Sequence, residues 1–195
     1  MKKIQIILLV LIVIGLGLIF TQKFWVDRLV NFILESKGEV VEVNNPLNLT
    51  YKIAGQDYQL VNGKIEKEIA PGSASKEVVM VFGEPVYADL DKDGDQDAVM
   101  FLTQQSSGSG TFFYVVAAVR DGRGYKGTSA MFLGDRIAPQ NINIIDGRAV
   151  ANFAERHPGE SFATPPSVGK SVWIHLDIKN MELGEWVKDF EGESR

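Results

Sequence analysis

Asp89-Leu90-Asp91-Lys92-Asp93-Gly94-Asp95-Gln96-Asp97 places five carboxylates within nine residues. Counting Asp89 as position 1, acids stand at positions 1, 3, 5, 7 and 9, with glycine at position 6. Side chains on alternate residues converge if the chain curls, and Gly94 permits the tight turn that curling requires. A ring of carboxylate and carbonyl oxygens is the donor set of a hard cation, and calcium is the ion that this spacing suits. Asp89, Asp91 and Asp93 would supply side-chain oxygens, Asp95 its backbone carbonyl, and Asp97 would close the set directly or through water. Without a cation the arrangement is costly. Two carboxylates about 5 Å apart repel by about 3 kcal/mol at an effective dielectric of about 20. The alternative is a solvated acidic hairpin tip that holds no ion.

A helix–loop–helix calcium loop carries a bidentate glutamate at position 12. Here that position is Met100, inside the apolar run Ala98-Val-Met-Phe-Leu102, which reads as a strand. The missing ligand implies weak affinity, like that of extracellular modules. With Phe82-Gly83-Glu84-Pro85 before it and the apolar strand after it, the loop resembles the strand–loop–strand calcium motif of integrin-type FG-GAP repeats. Those repeats come in series as propeller blades. One is present here, so the resemblance covers the loop and not the propeller.

Other residues could do chemistry but lack partners in the sequence. Glu155 and Glu160 bracket Arg156-His157-Pro158-Gly159, and a carboxylate pair can serve glycoside hydrolysis. His175 and Asp177 share one face of a strand pattern, yet no nucleophile elbow accompanies them. Gly169-Lys170-Ser171 resembles the end of a phosphate loop, but Pro165-Pro166 intervene and a strand follows. Asp135-Arg136 reads as an ion pair that orders its loop. No catalytic residue is assigned. A hydrolase of a cell-envelope polymer, using Glu155, Glu160 or His175–Asp177, stands as the alternative to a binding protein.

The elements that must position the acidic loop are strands. Leu49, Tyr51 and Ile53 alternate with Thr50, Lys52 and Ala54. Asn62-Gly63 and Asp146-Gly147 each sit between two strand-like runs, the strongest short signal for a hairpin. Val78–Phe82, Ala98–Leu102 and Phe112–Val119 are apolar on both faces, so they call for cover on both sides. Along 171–178, Val172, Ile174, Leu176 and Ile178 form one face and Trp173, His175 and Asp177 the other. A short helix is expected over 181–190. The fold class is mainly β: an N-terminal transmembrane helix, then one antiparallel β-sandwich or partly open barrel over 47–190, ending in a frayed tail at 191–195.

The membrane segment is the run from Ile4 to Phe20, broken only by Gln5, Gly15 and Gly17. At about 1.5 Å per residue it is near the lower limit for a bilayer core. Phe24 and Trp25 suit the interface, and residues 24–34 continue as an amphipathic stretch. No alanine precedes Ala54, so no A-x-A cleavage signal is visible, and an uncleaved anchor over 1–34 with a linker over 35–46 is expected. Four of the 20 basic residues and one of the 25 acidic ones fall within 1–34, which leaves 16 and 24, a net charge of −8, for the rest. An acidic domain without a basic stripe argues against nucleic-acid binding. With no cysteine, disulfides and thiol chemistry are excluded.

Five segments together are similar to an uncharacterised family of small bacterial envelope proteins. They are Ala70-Pro-Gly-Ser-Ala-Ser-Lys76, the acidic loop, Gly108-Ser-Gly-Thr-Phe-Phe-Tyr-Val-Val-Ala-Ala118, Phe132-Leu-Gly-Asp-Arg-Ile-Ala-Pro-Gln140 and Pro165-Pro-Ser-Val-Gly169. The resemblance spans 70–169, implies an envelope location and implies no activity. The sequence therefore leads to a single-pass protein of the bacterial cytoplasmic membrane, with its domain on the periplasmic or extracellular side. Its expected partners are the lipid bilayer and an envelope macromolecule.

Overall fold

The structure, a computed structural model, describes residues 45–187 apart from positions 109 and 123. The expected anchor and amphipathic stretch, and the tail at 191–195, lie outside the described residues. Among the described residues no helix is long and apolar enough to cross a membrane.

Twelve strands form among the described residues. They are β1 (Thr50–Ile53), β2 (Gln56–Gln59), β3 (Lys64–Glu68), β4 (Lys76–Ala88), β5 (Asp97–Gln105), β6 (Thr111–Arg120), β7 (Tyr125–Gly127), β8 (Met131–Asp135), β9 (Ala138–Ile145), β10 (Arg148–Glu155), β11 (Val168–Asp177) and β12 (Glu182–Glu185). The hairpin expected at Asp146-Gly147 forms between β9 and β10. At Asn62-Gly63 only the turn forms, closed by the single bridge of Val61 with Lys64, because β2 pairs with β1 and β3 with β4. Asn62 and Gly63 take φ of 51° and 78°, and Asp146 and Gly147 take 51° and 71°. Two successive positive φ values match the right-handed twist of the flanking strands.

The strands make three antiparallel groups. One sheet runs β3-β4-β5-β6-β7, with β8 also paired to β6; a second runs β12-β11-β10-β9; β1 and β2 form a separate hairpin. The mainly β, antiparallel character expected from the sequence is what these residues form, but the strands do not close into a barrel.

The larger sheet is covered on both faces. Val99 and Phe101 of β5 and Phe113 and Val115 of β6 share a core with Ala149, Ala151, Phe153, Val172 and Ile174 of the second sheet. On the opposite face Ala98, Met100, Leu102, Val116 and Ala118 pack with Tyr51, Ile53, Tyr58 and Leu60 of the hairpin. Burying each large side chain contributes about 1.5–3 kcal/mol. Tyr51 is fully buried, and its hydroxyl donates to the Pro46 carbonyl at 2.7 Å. Pro46, expected at the end of the linker, is thus part of the domain. At the hairpin rim the Tyr58 hydroxyl donates to Glu77 Oε2 at 3.0 Å, and Gln104 Nε2 donates to Glu77 Oε1 at 2.9 Å.

Two expectations need correction. Cover over Val78–Phe82 is incomplete, since Met80 and Phe82 are 42% and 44% exposed. The helix expected over 181–190 is a strand in its described part, because Glu182–Glu185 pairs with β11. Asp177 accepts from the Lys179 and Asn180 amides, and Met181 takes φ of 54°, which reverses the chain. Gly184 further weakens a helix there.

Residues 128–130 tie the layers together. Thr128 N donates to the Ala117 carbonyl, Ala130 N to Lys52, and Ser129 N to Met181, at 2.9, 2.7 and 2.8 Å. Gly127 just before them lies against Thr50, where a Cβ would overlap the Thr50 carbonyl oxygen and crowd the Tyr51 ring. Gly127→Ala is expected to destabilise by about 1–3 kcal/mol, read as a lower melting temperature. Gly169→Ala in β11, where a Cβ would meet nothing within 4 Å, is expected to melt like the parent.

Candidate metal centre

The acidic loop joins β4 to β5. The last ladder pair before it is Ala88 with Asp97, so Asp89 and Asp97 stand at the two necks of the hairpin. Three residues, 83–85, bulge from β4 between its Phe82 and Val86 pairs. Gly83 takes φ of 77° there, a region that favours glycine. Leu90 packs on the core between the two sheets and pins the loop's first turn.

Within the loop, Lys92 and Gly94 take φ of 68° and 95°. A lysine in that region is unfavourable, and Asp89 offsets it by capping the turn. Asp89 Oδ1 accepts from the Lys92 and Asp93 amides at 2.7 and 3.2 Å, and Oδ2 from the Gly94 amide at 3.2 Å. Asp91 Oδ1 accepts from the Asp93 amide at 3.2 Å, and Asp93 Oδ1 from the Asp95 amide at 2.8 Å.

Asp97 is completely buried. Its Oδ2 accepts from the Leu90 amide and its Oδ1 from the Arg120 amide, each at 2.8 Å. A buried carboxylate without such donors would be strongly unfavourable. These two bonds fix Asp97 to both β6 and the loop.

One carboxylate oxygen each from Asp89, Asp91 and Asp97 lies within 4.8 Å of the others. Oxygens bound to one calcium at about 2.4 Å can be no more than about 4.8 Å apart. This cluster could hold a metal ion. Each oxygen that accepts an amide keeps a second lone pair. Asp93 and Asp95 are outside the cluster: Asp93 is turned to the Asp95 amide, and Asp95 borders a shallow hollow with Tyr87, Arg120 and Tyr125.

Electrostatics follows from this geometry. Burial pushes the Asp97 carboxyl up, against the pull of the Arg120 and Leu90 amides, and Asp93 adds repulsion. Loss of water pushes Asp91 up first; the Asp93 amide opposes, and the Asp97, Asp93 and Asp89 charges add to the rise. A cation among the three would reverse those repulsions.

The other chemistry-bearing residues hold structure. Glu155 pairs with Lys170 at 3.2 Å, and Glu160 accepts from the His157 amide at 2.9 Å. Asp177 caps its turn, and its bonds to Asn180 hold its carboxyl below the usual range. Glu155 lies opposite Val168, seven residues along β11 from His175, a run of about 23 Å. Asp135 pairs with Arg136 at 2.7 Å, and the Arg136 guanidinium lies 3.5 Å from the centre of the Phe162 ring. Gly169-Lys170-Ser171 lies within β11.

Sequence reasoning did not find Arg120, because it acts through its backbone amide and no side-chain signal marks that. No family model matches the chain, and no curated protein or solved structure is similar to it.

The raised carboxyls give a pH test in metal-free buffer. Each contributes stability that is full below about pH 4, the ordinary carboxyl range, and is lost as pH rises through the higher folded value. Asp91→Asn removes that loss while keeping an acceptor for the Asp93 amide. The variant is expected to match the parent near pH 4 and to melt above it at neutral pH, by roughly one or two degrees given contact with water. Thermal unfolding across pH reads the difference, and a variant that falls behind the parent as pH rises contradicts the assignment.

Proposed function

We propose that the chain is a membrane-tethered, non-catalytic binding protein of the bacterial envelope, with its β domain outside the cytoplasm and a calcium ion ordering the β4–β5 hairpin. The observation that carries this reading is the convergence of Asp89, Asp91 and Asp97 on one point. Calcium fits the all-oxygen donor set and the loop's length. Asp89, Asp91 and Asp97 hold the ion, while Asp93 and the Asp95 carbonyl complete the shell when the loop tightens.

The apolar run from Ile4 to Phe20 supports the tether, and the weak-site character of the loop supports its side of the membrane. Such a site stays empty at cytosolic calcium levels and fills outside. The acidic domain, net −8 beyond residue 34, suits a partner that is basic or bridged by cations. The separation of Glu155 from His175, and the structural bonds of Glu160 and Asp177, favour binding over hydrolysis.

Calorimetry of the full chain with calcium tests the ion. At ten times Kd, binding is expected to add about 1.4 kcal/mol of stability. Asp91→Ala combined with Asp93→Ala is expected to abolish the gain, and a parent protein whose melting calcium does not move removes the structural-calcium reading. Alkaline phosphatase fused after residue 187 tests the topology: it is expected to be active in intact bacteria, and an inactive but intact fusion places the domain in the cytoplasm.

A further inference from the structure

The two packed sheets do not end together. At one side of the second sheet β9 lies against β4, and at the other β12 lies against β6 and β8. β3 stands one strand beyond β4, so the larger sheet overhangs β9 by one strand. The uncovered part of the larger sheet is apolar beside β9. Met80 and Phe82 face the second sheet, in register with Thr103 and Phe101, yet stay 42% and 44% exposed. Ile144, on the inner face of β9 with the buried Ile142, is 37% exposed. These side chains border the place that a fifth strand of the second sheet would fill.

The edge of β9 suits such a strand. Asn141 to Ile145 carry no charge, and among the described residues their backbone is bonded to β10 alone. A bare row of amide N–H and carbonyl groups is a template for another strand, and edges are ordinarily guarded by charge, shortness, proline or a bulge. The strands that end the sheets elsewhere show such guards. β3 is Lys64-Ile-Glu-Lys-Glu68, β7 spans only Tyr125–Gly127, and Glu182 of β12 is bridged to Ser129. On β9 the guards are Pro139 and the unpaired Gln140, and both stop short of Asn141. The open run from Asn141 to Ile145 is about 17 Å long. Charge narrows the occupant. On the overhang Glu66 holds both Lys64 and Lys76, at 2.6 and 3.1 Å, and Glu68 on the same face of β3 balances the second lysine. A charge in the middle of the occupant would be buried without a partner.

We propose that β9, from Asn141 to Ile145, takes an extended, uncharged segment of another protein as a fifth strand of the second sheet. The segment pairs antiparallel with β9, as the other strands of the sheet pair, and turns alternate apolar side chains onto Met80, Phe82 and Ile144. A second copy of this chain does not fit. Two copies paired β9 to β9 about a two-fold axis bring their overhanging β3 strands into the same space. The added strand rests on the binding reading of the domain, and not on its calcium or its tether.

Amide NMR on the full chain in lipid nanodiscs tests this. The probe is a short capped peptide of alternating valine and threonine with a lysine at each end. It is expected to shift the amides of Asn141 to Ile145 saturably, with a Kd below about 1 mM. The same peptide N-methylated at its central residues keeps the side chains and loses the main-chain bonds, and is expected to bind at least tenfold more weakly. A glutamate or lysine in place of the central valine is expected to cost as much. Ile144→Lys guards the edge, and Met80→Thr removes apolar cover without touching β9; each is expected to weaken the peptide at least tenfold while melting holds. No saturable shift at the β9 amides of the parent protein overturns the proposal, whatever the variants do. Equal binding of the N-methylated peptide overturns strand pairing, and equal binding of a charged one overturns the choice of segment. Shifts of the β9 amides on raising the protein concentration alone identify a second copy as the occupant and overturn the foreign partner. Calcium titrated into the same sample reads the ion separately: peptide binding without calcium binding sinks the metal reading alone, and the reverse sinks the added strand alone.

Discussion

Strands β5 and β6 have no polar face along most of their length, so water must be kept from both sides of the sheet at once. From Asp97 to Thr103 every residue of β5 is buried. A single packed layer leaves one of those faces wet, at about 25 cal/mol for each Å² of apolar surface. The chain meets the demand from two directions. Residues before β3 fold back as a hairpin over one face, and residues after β8 build a second sheet over the other. The order of elements along the sequence follows from that requirement.

The acidic loop inherits its rigidity from the same strand. Asp97 continues the inward-facing row of Val99 and Phe101, so its carboxylate sits at the end of a fully packed β5 and is held by amides from two elements. Asp89 and Asp91 belong to the loop proper and are half-buried. One donor is thus fixed by the core, and two depend on the loop's own hydrogen bonds. A cation among the three would relieve the repulsion that this arrangement creates.

Much of this was legible in the sequence. The runs at Ala98–Leu102 and Phe112–Val119 announced strands covered on both faces, and the two-residue turn at Asp146-Gly147 located the β9–β10 hairpin, whereas Asn62-Gly63 marks a turn between strands of different sheets. The Asp spacing located the cluster and named its three members among five. Other features carry no local mark. The β1–β2 turn uses Ala54 and Gly55 at φ of 48° and 83°, and alanine is not a residue that signals such a turn. Met181 onward has a weak helical pattern, yet a free ladder edge on β11 outweighs it. The separation of Asp93 and Asp95 from the cluster depends on which amides their side chains cap.

The bridges at Ser129 give the domain a mechanical character. Lys52, at the start of the domain, and Glu182, near its end, each bridge in parallel to Ser129. A pull applied at Asn45 and resisted beyond Glu185 loads these backbone bonds together with the β11–β12 ladder, in which Glu185 pairs with Ile174. Such a load runs along parallel strands and strains their bonds in shear, several at once, instead of peeling them singly. The acidic hairpin, which lies off that path at the far end of β4, is spared the tension.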